Sequence, residues 1–160
     1  LLMVGLNIHS IDIAGLIEKL GIRDEVTNPG YVSDEELNLL YNAAEAFISP
    51  SVYETICLPV MEAQAAGLPV ICIDTPGMRE ATGDSAMLLS RLEVDELVAA
   101  MSKMAGDSEL RRDLSEKGLI YSKRFSWKKC AADVLAALTE AAQMPARKTD
   151  FAFPIPKFKN

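Results

Sequence analysis

Apolar residues in this chain follow two alternating rhythms, and the alternation itself predicts the architecture. Leu1 to Leu6 is a short apolar run of strand type; Ile13, Leu16, Ile17 and Leu20 then fall at helical spacing, with Gly21 placed to end the helix. Glu25 to Asn28 is a weak strand before a Pro29-Gly30 turn. Ser33 and Glu36 have capping-box spacing for a helix through Leu37, Leu40 and Ala44. Ala46 to Ser49, Val70 to Ile73 and Ala86 to Leu89 read as further strands. Between the first two of these a helix starts at Pro59, since proline suits the first helical position, and ends near Gly67. Three helical stripes follow: Val94, Leu97, Val98 and Met101; Leu110, Leu114 and Ile120; and Trp127, Cys130, Val134, Leu135 and Leu138 behind a Ser126 cap. Strand-helix alternation of this kind implies right-handed crossovers, so the expected class is a doubly wound, Rossmann-like parallel α/β sheet with C-terminal helices. Met101, Met104 and Trp127 are expected in or beside the core, Trp127 because it begins a regular apolar stripe.

Composition narrows the setting. With 160 residues and 49% hydrophobic content the chain can bury a substantial core and fits one domain, expected over residues 1–143, with a tail over 144–160. A net charge of -7 excludes a nucleic-acid surface, which needs clustered Lys and Arg. No apolar run reaches membrane-spanning length. The three cysteines, Cys57, Cys72 and Cys130, are widely spaced and lack CxxC pairing, which indicates neither a disulfide framework nor a zinc site and suits a reducing, cytoplasmic compartment. The start LLMVGLN lacks a basic flank and reads as a strand, not a signal. The tail turns basic and aromatic, with Arg147, Lys148, Phe151, Phe153, Phe158 and Lys159. A frayed terminus, docking on another domain and a weak peripheral contact with an anionic membrane are its three readings.

Candidate chemistry concentrates in YETICLPVMEAQAAGLPVICIDTPGMRE, residues 53–80. Glu54 and Glu62 stand with seven residues between them, one on the loop after a strand and the other expected in the first turn of the helix from Pro59. Both carboxylates and the free amides of residues 55–61 would then converge at the carboxyl end of a strand, where open α/β sheets bind ligands. An acid in a first turn also stabilises any helix by about 0.3–1 kcal/mol, so a purely structural role competes. Gly77, Arg79 and Glu80 are placed on a loop after the Val70 strand, near the same end; Arg79 contacts a phosphate in one reading and is solvated in the other. Cys57 has no histidine nearby in sequence and reads as packing, and His9, the single histidine, reads as a surface loop residue.

Three features occur in order: GYVSDEELNLLYNAAEAFISPS, the Glu54/Glu62 pair with LPVMEAQAAGLPV, and GDSAMLL followed by ELRRDL and RFSW. Together they resemble the C-terminal, donor-binding half of a GT-B type retaining glycosyltransferase of the glycosyl transferases group 1 family, over residues 1 to about 140. The resemblance implies a nucleotide diphosphate sugar as donor substrate, a separate N-terminal domain for the acceptor, no metal and no further cofactor. It implies that Glu62 holds the ribose hydroxyls and that Glu54, the catalytic carboxylate, holds a hydroxyl of the donor sugar. Backbone amides of Thr55, Ile56, Cys57 and Leu58 would face sugar and phosphates. The family commonly has glycines and an aromatic where Thr55, Ile56 and Cys57 stand here, which makes backbone approach tighter. Its basic leaving-group residues come from a strand and loop preceding the segment matched by Leu1 to Leu6. The expectation is therefore a piece that starts one strand-helix unit late, lacks the acceptor domain and is inactive alone, with the missing strand leading to a rearranged sheet, a partner chain in its slot, or residues outside the structure. The alternative is a catalytically degenerate nucleotide-binding or interaction module of the same fold; an epimerase or phosphorylase of that fold fits the motifs less well.

Overall fold

The computed structural model describes residues 1–5 and 12–144. The end of the first expected strand, His9 and the tail residues from Arg147 to Lys159 lie outside the described residues. Two compact units are present, Leu1–Arg124 and Phe125–Asn160. The first contains β1 (Leu2–Val4), α1 (Ile13–Leu20), β2 (Thr27–Gly30), α2 (Asp34–Ala43), β3 (Phe47–Ser49), α3 (Leu58–Ala65), β4 (Val70–Ile73), α4 (Pro76–Thr82), β5 (Ala86–Leu89), α5 (Val94–Gly106) and α6 (Ser108–Ser122), while α7 (Trp127–Gln143) belongs to the second.

All strand pairings are parallel, and the sheet is divided in two. β1 pairs with β2, and β3, β4 and β5 form a separate three-stranded sheet in that order. Among the described residues no strand bridges the two ladders. β4 is the centre of the larger sheet and is buried at every position. Its side chains alternate between two layers. Val70 and Cys72 join Tyr41, Val60, Ala63 and Met78 on one side, whereas Ile71 and Ile73 join Leu89, Ala100, Met104 and Leu114 on the other. Each fully buried aliphatic side chain contributes about 1.5–3 kcal/mol relative to exposure, which makes this strand the energetic centre of the unit.

Local signals explain most element ends. Gly21 closes α1 in the left-handed conformation at φ 66°, where glycine carries no Cβ penalty. Ser33 and Glu36 form the full capping box of α2. The strand expected over 25–28 shifts to Thr27–Gly30, because Arg23–Glu25 form a 3-10 turn and the backbone amide of Thr27 donates to the Leu1 carbonyl.

Three expectations are corrected. Residues 76–82 form helix α4, where a loop was expected: Thr75 caps it by accepting from the Met78 amide, and Pro76 takes the first helical position. Helix α3 begins at Leu58, one residue earlier than Pro59. Trp127, expected in the core, is 78% exposed, and no residue of α7 is buried. A periodic stripe assigns side chains to one face without supplying anything to cover it.

Candidate functional site

The loop from Pro50 to Cys57 leaves the carboxyl end of β3 and delivers the chain to α3. Glu54 is half-buried on it, Thr55 and Ile56 are exposed, Cys57 is buried and Leu58 is 40% exposed. The Cys57 thiol lies 3.8 Å from the Ser49 hydroxyl at the end of β3, a packing contact that ties the loop's last residue to the sheet. No side chain caps α3, and Pro59 at its second position has no amide to satisfy. The start of α3 therefore keeps donors and partial positive charge at the mouth of the sheet.

Gly77 fixes the opposite wall. A Cβ built on it would overlap the Glu54 carbonyl oxygen and stand 3.2 Å from that of Thr55. The first turn of α4 thus rests on the backbone of the carboxylate loop, in contact that only glycine permits. The structure brings together the Glu54–Thr55 loop and the start of α4, next to the start of α3.

Glu62 is the fifth residue of α3, beyond the first turn, which contains no acidic residue. This departs from the sequence expectation and follows from the earlier helix start. It also weakens the purely dipolar role, since that interaction decays within the first turn. The Glu62 side chain is solvent-exposed apart from one partner, the Tyr41 hydroxyl, which donates to Oε2 at 3.1 Å across 21 residues of sequence. Burial is the main cause raising the Tyr41 pKa, with the Glu62 charge and hydrogen bond next, so the hydroxyl keeps its proton. Tyr41 was not visible as a site residue in sequence. Its signal was spacing: it falls four residues after Leu37 on the apolar face of α2.

Arg79 is on α4, where it makes a two-pronged ion pair with Asp74, Nε to Oδ1 and Nη2 to Oδ2, both at 2.5 Å. The Asp74 carboxylate raises the Arg79 pKa. Arg79 is the sole Lys or Arg in residues 50–90, so that stretch offers no unpaired basic side chain beside its carboxylates. No cluster of His, Cys, Asp or Glu capable of holding a metal occurs among the described residues. A separate concavity of about 450 Å³ on α6 is lined by Asp107, Glu109, Asp113 and Glu116 against Arg112, a surface that repels anions. Among the described residues no helix is long and apolar enough to cross a membrane.

This geometry is a parallel α/β unit with an uncapped helix start and two carboxylates at the carboxyl ends of its strands. Residues 1–121 match the family Glycosyl transferases group 1, and the chain belongs to that family. It is similar to O-antigen chain mannosyltransferase B of Escherichia coli, 36% identical over 108 residues, covering 68% of this chain and 28% of that protein. MMP alpha-(1->4)-mannosyltransferase of Mycolicibacterium hassiacum is 35% identical over 130 residues, covering 79% of this chain and 32% of the relative. The chain therefore spans less than a third of the length of either relative. Among solved structures, sucrose-phosphate synthase from Thermosynechococcus elongatus superposes with a TM-score of 0.78 at 27% identity, over 89% of this chain and 39% of that one. Anabaena Alr3699/HepE, solved in complex with UDP-glucose, gives 0.77 at 22% identity, over 87% of this chain and 40% of that one, a likeness of fold alone. The fold is one Rossmann-like half of a GT-B glycosyltransferase.

Proposed function

We infer that this chain is the donor-binding half of a glycosyltransferase that moves a sugar from a nucleotide diphosphate sugar to a glycan, lipid or small acceptor with retention of configuration. The observation that carries this reading is Glu62: a solvent-facing carboxylate outside the first turn of α3, beside an uncapped helix start. A carboxylate takes two hydrogen bonds from a vicinal diol, and the helix start offers amides to a diphosphate. In this reading Glu62 holds the ribose hydroxyls and Glu54 a hydroxyl of the donor sugar, while the backbone of Thr55, Ile56, Cys57 and Leu58 lines the sugar and phosphates. Arg79 reaches a phosphate only by leaving Asp74. No metal or further cofactor takes part. The free cysteines support a cytoplasmic setting. Mannosyl donors are the first sugars to test, because two relatives are mannosyltransferases.

Calorimetric titration of UDP, GDP, ADP and the corresponding sugar nucleotides tests the assignment. Glu62→Ala should weaken nucleoside diphosphate binding by about 1.5–3 kcal/mol, the worth of one charge-assisted hydrogen bond. Glu54→Gln should weaken sugar-nucleotide binding and spare the bare diphosphate; equal losses for the two ligands refute the role given to Glu54. The Arg79–Asp74 pair favours a second reading, a nucleotide-binding module without chemistry, because it leaves no free cation in the stretch to neutralise a departing diphosphate. In either reading the isolated chain transfers no sugar. Acceptor-dependent product that is absent from a Glu62→Ala control would refute this.

A further inference from the structure

Tyr41 is the only buried residue of α2, and its position is set from three directions. It lies in the same buried cluster as Val60 and Ala63 of α3. Its ring meets Phe47 of β3 edge-on, with centroids 5.9 Å apart and planes at 75°. Its hydroxyl ends on Glu62 Oε2. A ring held in this way has no rotamer freedom to lose, so the direction of its O–H is preset before any ligand arrives. Glu62, by contrast, is a long flexible side chain in solvent, and this hydrogen bond restrains its carboxylate.

We propose that Tyr41 is a positioning residue for the diol-binding carboxylate, holding Oε2 of Glu62 so that Oε1 is presented to the ribose hydroxyls. The proposal rests on the reading of Glu62 given above and adds to it the source of that side chain's order. The Tyr41 hydroxyl donates to Oε2, which leaves Oε1 as the acceptor facing the ligand. It touches no part of the nucleotide itself. A merely structural tie between α2 and α3 would use the same hydrogen bond, and the two roles part company on one measurement: the preference for ribose over a sugar lacking both hydroxyls.

The experiment measures binding of a nucleoside diphosphate and of its 2′,3′-dideoxy counterpart to the intact protein, using the base that titration shows to bind. Wild type, Tyr41→Phe, Glu62→Ala and the double variant are compared, with thermal unfolding recorded for each. Tyr41→Phe should unfold like wild type, lose roughly 3- to 10-fold in affinity for the ribose ligand and nothing for the dideoxy ligand, the span expected for one oriented hydrogen bond. It should cost nothing further in the Glu62→Ala background. Replacing Tyr41 by 4-aminophenylalanine, which keeps the ring and restores a donor, should recover the ribose preference. Equal losses for both ligands, or no loss for either, overturn the positioning role while Glu62→Ala alone still abolishes the preference. If Glu62→Ala leaves the preference intact, or wild type binds no nucleotide, the reading of Glu62 falls and the role of Tyr41 with it.

Discussion

The stretch from β3 to β5 and the stretch from β1 to β2 carry similar apolar patterns and end in opposite states. In the first, β4 is buried at all four positions and its neighbours fill two continuous layers. In the second, Leu2 and Val4 of β1 are 41% and 42% exposed, and α1 has no buried residue, with Leu16 and Leu20 at 51% and 58%. Both stretches form parallel pairs, so backbone pairing does not separate them. Cover does. β4 has a strand on each side and helices against it, whereas the β1–β2 ladder stands as a separate two-stranded sheet whose helix α1 has no fully buried side chain, only Ile13 and Ile17 half-buried. Pairing makes an element and burial makes it stable; a strand-helix-strand unit can have the former with little of the latter.

The largest test of the contrast is truncation. Ile71→Ala should cost about 2–5 kcal/mol because the cavity lies between packed layers, while Leu20→Ala should stay within about 0.5 kcal/mol. Denaturant unfolding of both variants reads the difference, and similar costs would show that the N-terminal layer is covered in solution. Next in size is Gly77→Ala. The new methyl collides with the Glu54 backbone and should cost about 1–3 kcal/mol, with amide shifts at Glu54 to Ile56 in NMR spectra. Gly106→Ala, at the end of α5 with open space around it, should be neutral or stabilising and serves as its control. Ser33→Ala should cost about 1 kcal/mol, since a helix cap is a local device that needs no core.

The smallest effects are in pH dependence, and they fall at opposite ends of the pH range, one at Cys72 of β4 and one at Glu36 of α2. Burial pushes the Cys72 thiol from 9.0 up to about 12. The unfolded thiol releases its proton first, so the folded state loses stability as pH rises between those values, by at most about 1.4 kcal/mol per unit. Cys72→Val should flatten that alkaline slope. Glu36 is held below its ordinary value, chiefly by the Ser33 backbone amide, so its contribution is present above the usual carboxylate range and is lost as pH falls through the lowered value. Glu36→Ala should flatten the acid slope. The two slopes are read from melting temperatures across pH, and an unchanged slope in either variant removes that group from the account.

The same contrast shows what was legible from residues alone. Strand and helix identities came through almost everywhere, because period and capping are local: Gly21, Ser33, Glu36 and Ser126 each act where their spacing placed them. Helix α4 was hidden because Pro76-Gly77 has the chemistry of a turn, although Thr75 followed by Pro76 is equally a cap and a first helical residue. Glu54 and Glu62 were legible as a pair because both stand close to one helix start. Tyr41 was not, since its partner is 21 residues away and only the packing of α2 against α3 brings them together. Arg79 was legible as a charge at the mouth of the sheet, but its partner Asp74 depends on the α4 turn that was missed. Trp127 shows the limit from the other side, since the stripe it begins was real and its burial was not.

Gly77 has a mechanical consequence. Two backbones in direct contact have no side chain between them to bend, so the Glu54–Thr55 loop and the first turn of α4 share any displacement. The last turn of α4 is coupled onward: the Ser85 hydroxyl donates to the Thr82 carbonyl, and the Gln64 amide of α3 donates to that hydroxyl. Loop, α4 and α3 close a circuit that begins and ends at the two carboxylates. The chain of contacts that starts at the Glu54 loop therefore ends, through peptide groups and hydroxyls, on the helix that carries Glu62.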